Sequence, residues 1–163
     1  MPKIAIFTDT KTIDMYQFTK VKTGDLVDIN DRYILSLDNH VSIMEALADF
    51  CKKKKITCGT ISGLGAINCA TFRFLDPATK QYVDKTFEEQ MEITNLTGNI
   101  SEKDGTPYLH VHITASRRDY TCIGGHLLDA RINGACELLV EDFAMTFAGR
   151  QPDPETGLNL YKF

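Results

Sequence analysis

Pro107-Tyr108-Leu109-His110-Val111-His112-Ile113-Thr114-Ala115-Ser116 is followed by Arg117-Arg118-Asp119, and then by Tyr120-Thr121-Cys122-Ile123-Gly124-Gly125-His126-Leu127-Leu128. The two apolar runs have a period of two, which reads as two strands. Three polar residues between them are too few for a parallel crossover, so the strands pair antiparallel. Leu109, Val111 and Ile113 take one face of the first strand, and His110 and His112 take the other. The core lies on the leucine side, and the histidines line a separate surface or pocket. A turn centred on Asp119 sets His126 opposite His112, because each is seven residues from it. Cross-strand partners stand about 4.5–5.5 Å apart at Cβ, close enough to share one ion.

The same alternation extends over most of the chain. Arg32–Leu37, Ile56–Ser62, Ala66–Leu75, Gln81–Thr86, Met91–Ile100 and Ala135–Phe143 read as further strands. Asp76-Pro77-Ala78-Thr79 and Asp104-Gly105 read as turns between them. One helix interrupts the series. Ser42 with Glu45 three residues on is a capping box. Ile43, Leu47, Phe50 and Cys51 then form an apolar face, and Lys52 to Lys55 close the helix at its negative dipole end. The predicted class is α+β: a mainly antiparallel sheet with one main covering helix, in a compact single domain. The first ~30 residues are polar and weakly patterned. Residues 1–27 read as an N-terminal arm, 28–145 as the domain, and 146–163 as a C-terminal extension packed on the domain or on a neighbouring subunit.

At 163 residues, 43% hydrophobic and 25% charged, the chain has an ordinary globular composition. Its net charge of −4 offers no electrostatic argument for nucleic acid. The Lys52–Lys55 run reads as a solvated helix end. The apolar run Ile4 to Phe7 stops at Asp9, too short for a signal-peptide core, and no stretch is long and apolar enough to cross a membrane as a helix. Five scattered cysteines without a C-x-x-C pair read as buried, reduced thiols of a cytoplasmic protein, Cys122 included.

Three neutral imidazoles suit zinc, iron, nickel or copper better than magnesium or calcium. His110, His112 and His126 are therefore the predicted metal ligands. Zinc is the expected ion, with a fourth position left for water or substrate. Proton competition should weaken binding below about pH 6. His40, just ahead of the helix, reads as a local capping or surface residue. Gly124-Gly125 allow either a close backbone approach or a bulge that re-aims His126. Ser62-Gly63-Leu64-Gly65-Ala66 is not a dinucleotide fingerprint, since Asn68 replaces the third glycine and no helix follows. No cofactor-binding residue other than the metal ligands is predicted.

Ile61-Ser62-Gly63-Leu64-Gly65-Ala66, Phe74-Leu75-Asp76-Pro77, Met91-Glu92-Ile93 through Leu96-Thr97-Gly98-Asn99-Ile100-Ser101, Pro107–His112 and Gly124-Gly125-His126-Leu127 occur in this order. Together they resemble the PPC (plants and prokaryotes conserved) domain in its prokaryotic single-domain form. The resemblance implies a compact α+β fold, a homotrimer, and His110, His112 and His126 as metal ligands. Plant members pair the domain with an AT-hook that enters the DNA minor groove, and this chain has none. A DNA-binding or regulatory role is the family label, and direct binding to duplex DNA is expected to be weak. The H-x-H…H pattern also resembles acetolactate decarboxylase. That likeness gives the alternative reading, a small zinc-dependent lyase or hydrolase acting on a small oxygenated molecule at the metal. Glu92 is its acid/base candidate, chosen from its motif position alone.

Overall fold

The computed structural model describes residues 15–21, 30–145 and 149–162. Its elements are β1 Tyr16–Val21, β2 Asp31–Leu37, α1 Ile43–Lys54, β3 Gly59–Asp76, β4 Gln81–Phe87, β5 Met91–Lys103, β6 Thr106–Ser116, β7 Cys122–Asp142, β8 Arg150–Pro152 and β9 Asn159–Tyr161. All strand pairs are antiparallel. The α+β reading with one helix stands.

The main sheet runs β1-β2-β7-β6-β5-β3-β4, and β3 also pairs with β7. Strands β3, β5, β6 and β7 therefore form a closed ring of partners, which leaves none of the four as a free edge. Two long strands make the closure possible. The runs 56–62 and 66–75 are one strand, β3, and the runs 120–128 and 135–143 are one strand, β7. The sequence breaks them at 63–65, where two of three residues are glycine, and at 129–134, which ends in Gly134, but the structure continues both strands. Register shifts fall between Gly63 and Gly65, and again between Gly65 and Ile67. Such bulges turn a strand without ending it.

The core lies between the sheet and α1, which packs on β6 and β7. Ile43, Leu47, Phe50 and Cys51 of α1 are buried. Ser42 Oγ accepts the Glu45 N–H at 3.0 Å, as the capping box requires, and donates to Asp129 Oδ1 at 2.6 Å. Lys55 ends the helix in the left-handed conformation, with its N–H returned to Cys51 and Lys52 carbonyls. Within the N-terminal arm, Tyr16–Val21 adds an edge strand to the sheet. Tyr16 is fully buried there, and Tyr16, Phe18 and Tyr33 all meet Phe50 in edge-on or tilted ring contacts. A six-residue strand with two aromatic anchors is too short a signal to stand out from a polar arm. The apolar run Ile4 to Phe7 lies outside the described residues.

The cysteines differ from the sequence reading in part. Cys51, Cys58 and Cys136 are buried, Cys69 is half-buried and Cys122 is exposed. Cys122 begins β7 beside the hairpin turn, where alternation points it away from the core. No helix among the described residues is long and apolar enough to cross a membrane.

Candidate metal centre

The β6–β7 hairpin turns through Arg117–Thr121. The Arg117 N–H donates to the Thr121 carbonyl, and Asp119 Oδ1 accepts both the N–H and the hydroxyl of Thr121. This turn fixes the register Ser116↔Cys122 through His112↔His126 without a shift. Gly124-Gly125 therefore serve close approach rather than a bulge on this side. Val111, Ile113 and Ala115 are buried, and Leu109 packs against the core. The histidines take the opposite face.

His110, His112 and His126 converge there. Their ring centroids lie 5.0, 5.1 and 5.4 Å apart. One ring nitrogen from each residue falls within 4.8 Å of the other two. The Nε2 atoms of His110 and His112 are 3.1 Å apart. Two nitrogens on one tetrahedral zinc, at Zn–N distances of ~2.0–2.1 Å, stand roughly 3.3 Å apart. The donor set and its spacing thus fit a small divalent ion. Burial lowers the His110 ring to about 4, with the His126 and His112 rings and Arg150 adding to the shift. Burial also lowers His126, helped by His112 and Arg73 and opposed by Asp84. Both rings are held in the neutral form that a metal needs.

A polar row crosses four strands on this face: Asp84, Arg73, His126 and His112 are successive register partners. Arg73 and Asp84 form a two-point pair at 2.7 and 2.8 Å. The row opens onto a cleft of about 1130 Å³, walled by the β3–β4 hairpin on one side and the β8–β9 segment on the other. Arg150 of β8 lines it, a residue the sequence reading did not single out. Arg150 is one basic residue in a Pro- and Gly-containing tail. Its partners Asn99 and Ser101 are about fifty positions away, so no local spacing marks it.

Glu92 is exposed and opposes Ser116, four residues along β6 from His112. At ~3.4 Å per residue that separation is roughly 13 Å. Glu92 is not among the residues lining the cleft. The structure brings the three histidines together and leaves the carboxylate behind. His40 is exposed, and the helix cap is Ser42 rather than His40.

Residues 26–144 match the Plants and Prokaryotes Conserved (PCC) domain. Among solved structures, a "putative dna binding protein" from Bacteroides thetaiotaomicron is 49% identical, with a TM-score of 0.82 over 92% of this chain and 99% of that one. A metal-containing protein from Archaeoglobus fulgidus is 30% identical, with a TM-score of 0.77 over 93% and 100%. A plant- and prokaryote-conserved protein from Pyrococcus horikoshii has the same fold at 22% identity, with a TM-score of 0.76 over 94% and 98%. The α-acetolactate decarboxylase of Bacillus subtilis aligns at a TM-score of only 0.48. No curated protein matches the chain. Sequence motifs, strand order and the family match agree: the chain belongs to the Plants and Prokaryotes Conserved domain family.

Proposed function

We propose that the protein binds one divalent metal ion, zinc by preference, through His110, His112 and His126, and presents it to a small-molecule ligand. The observation that carries this reading is the convergence of three ring nitrogens at the wall of an open cleft. A closed structural site would need a fourth protein ligand. Among the described residues no Cys, Asp or Glu joins the three histidines. When bound, the ion would supply a Lewis acid that polarises an oxygen of the ligand. The chain itself holds the His110 and His126 rings neutral and shapes the cleft. The description of the Archaeoglobus relative as metal-containing supports the metal, without naming it. Metal content after zinc reloading is the direct test. An open position favours a small lyase or hydrolase over a purely structural metal module. With Glu92 distant, its acid or base must come from elsewhere in the cleft. Reduced thiols are consistent with a cytoplasmic setting.

The assembly is proposed to be a homotrimer. Phe74, Tyr82 and Val83 on the β3–β4 hairpin and Leu160 on β9 are 42–65% exposed and border the cleft. Exposed apolar side chains clustered on one hairpin mark a protein contact. Light scattering at micromolar concentration should give about 55 kDa, three times 18.3 kDa. A mass near that of one chain would refute the trimer.

Direct DNA binding is proposed to be weak, despite the description of the Bacteroides relative. The lysine run is partly engaged: Lys53 pairs with Asp49 at 2.7 Å, and Lys54 sits 4.2 Å over the Phe18 ring. Residual affinity should vanish as salt rises. Sequence-selective gel shifts below micromolar protein at physiological salt would contradict it.

A further inference from the structure

Arg150 is a buried cation with no anion beside it among the described residues. It is 9% exposed. Its guanidinium packs 4.1 Å from the Tyr161 ring centroid and 4.8 Å from that of Tyr108. Nε donates to Ser101 Oγ at 2.6 Å, Nη1 to the Asn159 carbonyl at 2.9 Å and Nη2 to Asn99 Oδ1 at 2.7 Å. All three acceptors are neutral. Among the described residues, no carboxylate forms an ion pair with it. A guanidinium has five N–H donors, so two remain. Buried charges are ordinarily paired, because an uncompensated one costs several kcal/mol, on the order of a broken buried pair.

The cleft itself points to the missing partner. Its lining carries Arg73, Lys85 and Arg150 but no Asp or Glu, in a chain whose net charge is −4. Asp84 already neutralises Arg73. Among the described residues, Arg150 is held in place by neutral acceptors and has no counter-charge. It is also placed against the histidines: Asn99, which accepts from its Nη2, is the register partner of His110.

We propose that the cleft binds a small organic acid whose carboxylate pairs with Arg150 and whose adjacent hydroxyl or carbonyl oxygen faces the three histidines. The two donors left over, one on each terminal nitrogen, match in number the two oxygens of a carboxylate. Phe72, Phe87, Ile123 and Leu158 offer an apolar wall for the hydrocarbon part. The contact to an ion rests on the metal reading above; the contact to Arg150 does not.

The test is calorimetric titration of the full chain, zinc-loaded and chelator-treated, with 2-hydroxyisobutyrate, its neutral amide and inorganic phosphate. The acid should bind at least tenfold more tightly than the amide in both preparations. Zinc should strengthen the acid further. Arg150→Met should lose the acid–amide preference and keep its metal content. Equal affinity for acid and amide, no binding of the acid, or tighter binding of phosphate would overturn the proposal. So would an unchanged preference in Arg150→Met. The acid–amide comparison uses the unaltered chain, so it decides even where the variant does not fold. A protein that takes up no zinc yet prefers the acid would refute the metal reading and leave the Arg150 site standing.

Discussion

His112→Ala is expected to lose its metal while keeping its fold. After zinc reloading and mild dialysis, the wild-type chain should retain close to one ion, and the variant less than about a tenth of that. Losing an outer-shell partner of a metal ligand already costs 10–100-fold in affinity. Removing one of three ligands should cost at least about 100-fold. The fold should survive because His112 is exposed, whereas Val111 and Ile113 beside it carry the packing. His40→Ala, on a ring outside the cluster, should retain metal like the wild type. Elemental analysis of the three proteins checks the result, and equal retention in His112→Ala would remove the basis for the site.

The pH profile of the same proteins carries a second signature. An unshifted imidazole set would begin losing metal to protons below about pH 6. Burial keeps the His110 ring neutral to about pH 4, so its share of the competition is displaced downward. The metal-free protein shows the reverse side of this shift. Below the unfolded-state value of 6.5, the unfolded chain takes up a proton that folded His110 refuses. Stability from this group is therefore full above 6.5 and is lost as pH falls toward about 4. The half-exposed ring reduces the full linkage, leaving roughly 1–2 kcal/mol. Urea midpoints of metal-free wild type should fall more steeply over that window than those of His110→Gln. Parallel profiles would show that the ring titrates normally.

The hairpin that builds the site was legible because its information is local. Alternation at Leu109, Val111 and Ile113 fixed the faces, and counting from Asp119 fixed the register, which the structure reproduces as His112↔His126. The helix was equally plain, since Ser42, Glu45 and the terminal lysines are signals within one or two turns. What escaped is set by distant contacts. The unity of β3 and of β7 depends on partners on both sides, which let register shifts continue a strand that alternation alone would end. Strand β1 is held by aromatic contacts to Phe50, some thirty residues on. Arg150 acquires its meaning only when the tail folds back on β5. Glu92 shows the converse: its place in a motif suggested chemistry, but the register carried it to the far end of β6.

Gly124→Val is expected to abolish the site with all three histidines intact. A Cβ built on Gly124 would stand 2.5 Å from the Ile113 carbonyl oxygen and 3.1 Å from Thr114 Cα, both backbone atoms of the paired strand. Neither can move without opening the β6–β7 ladder, and that ladder sets His126 opposite His112. Overpacking against side chains typically costs 1–3 kcal/mol. A clash with the backbone of a ring-closing strand should cost about 3 kcal/mol or more, a loss of roughly 6–12 °C in Tm for a chain of this length. Alanine should show the same clash in milder form, because it adds the Cβ alone. Gly105→Asn is the control. It lies in a turn at φ 76° with nothing within 4 Å of its built Cβ, and Asn tolerates that conformation. Thermal unfolding with metal content reads both effects. Metal retention and Tm in Gly124→Val equal to those of Gly105→Asn would show that the close approach of these two strands does not hold the histidines together.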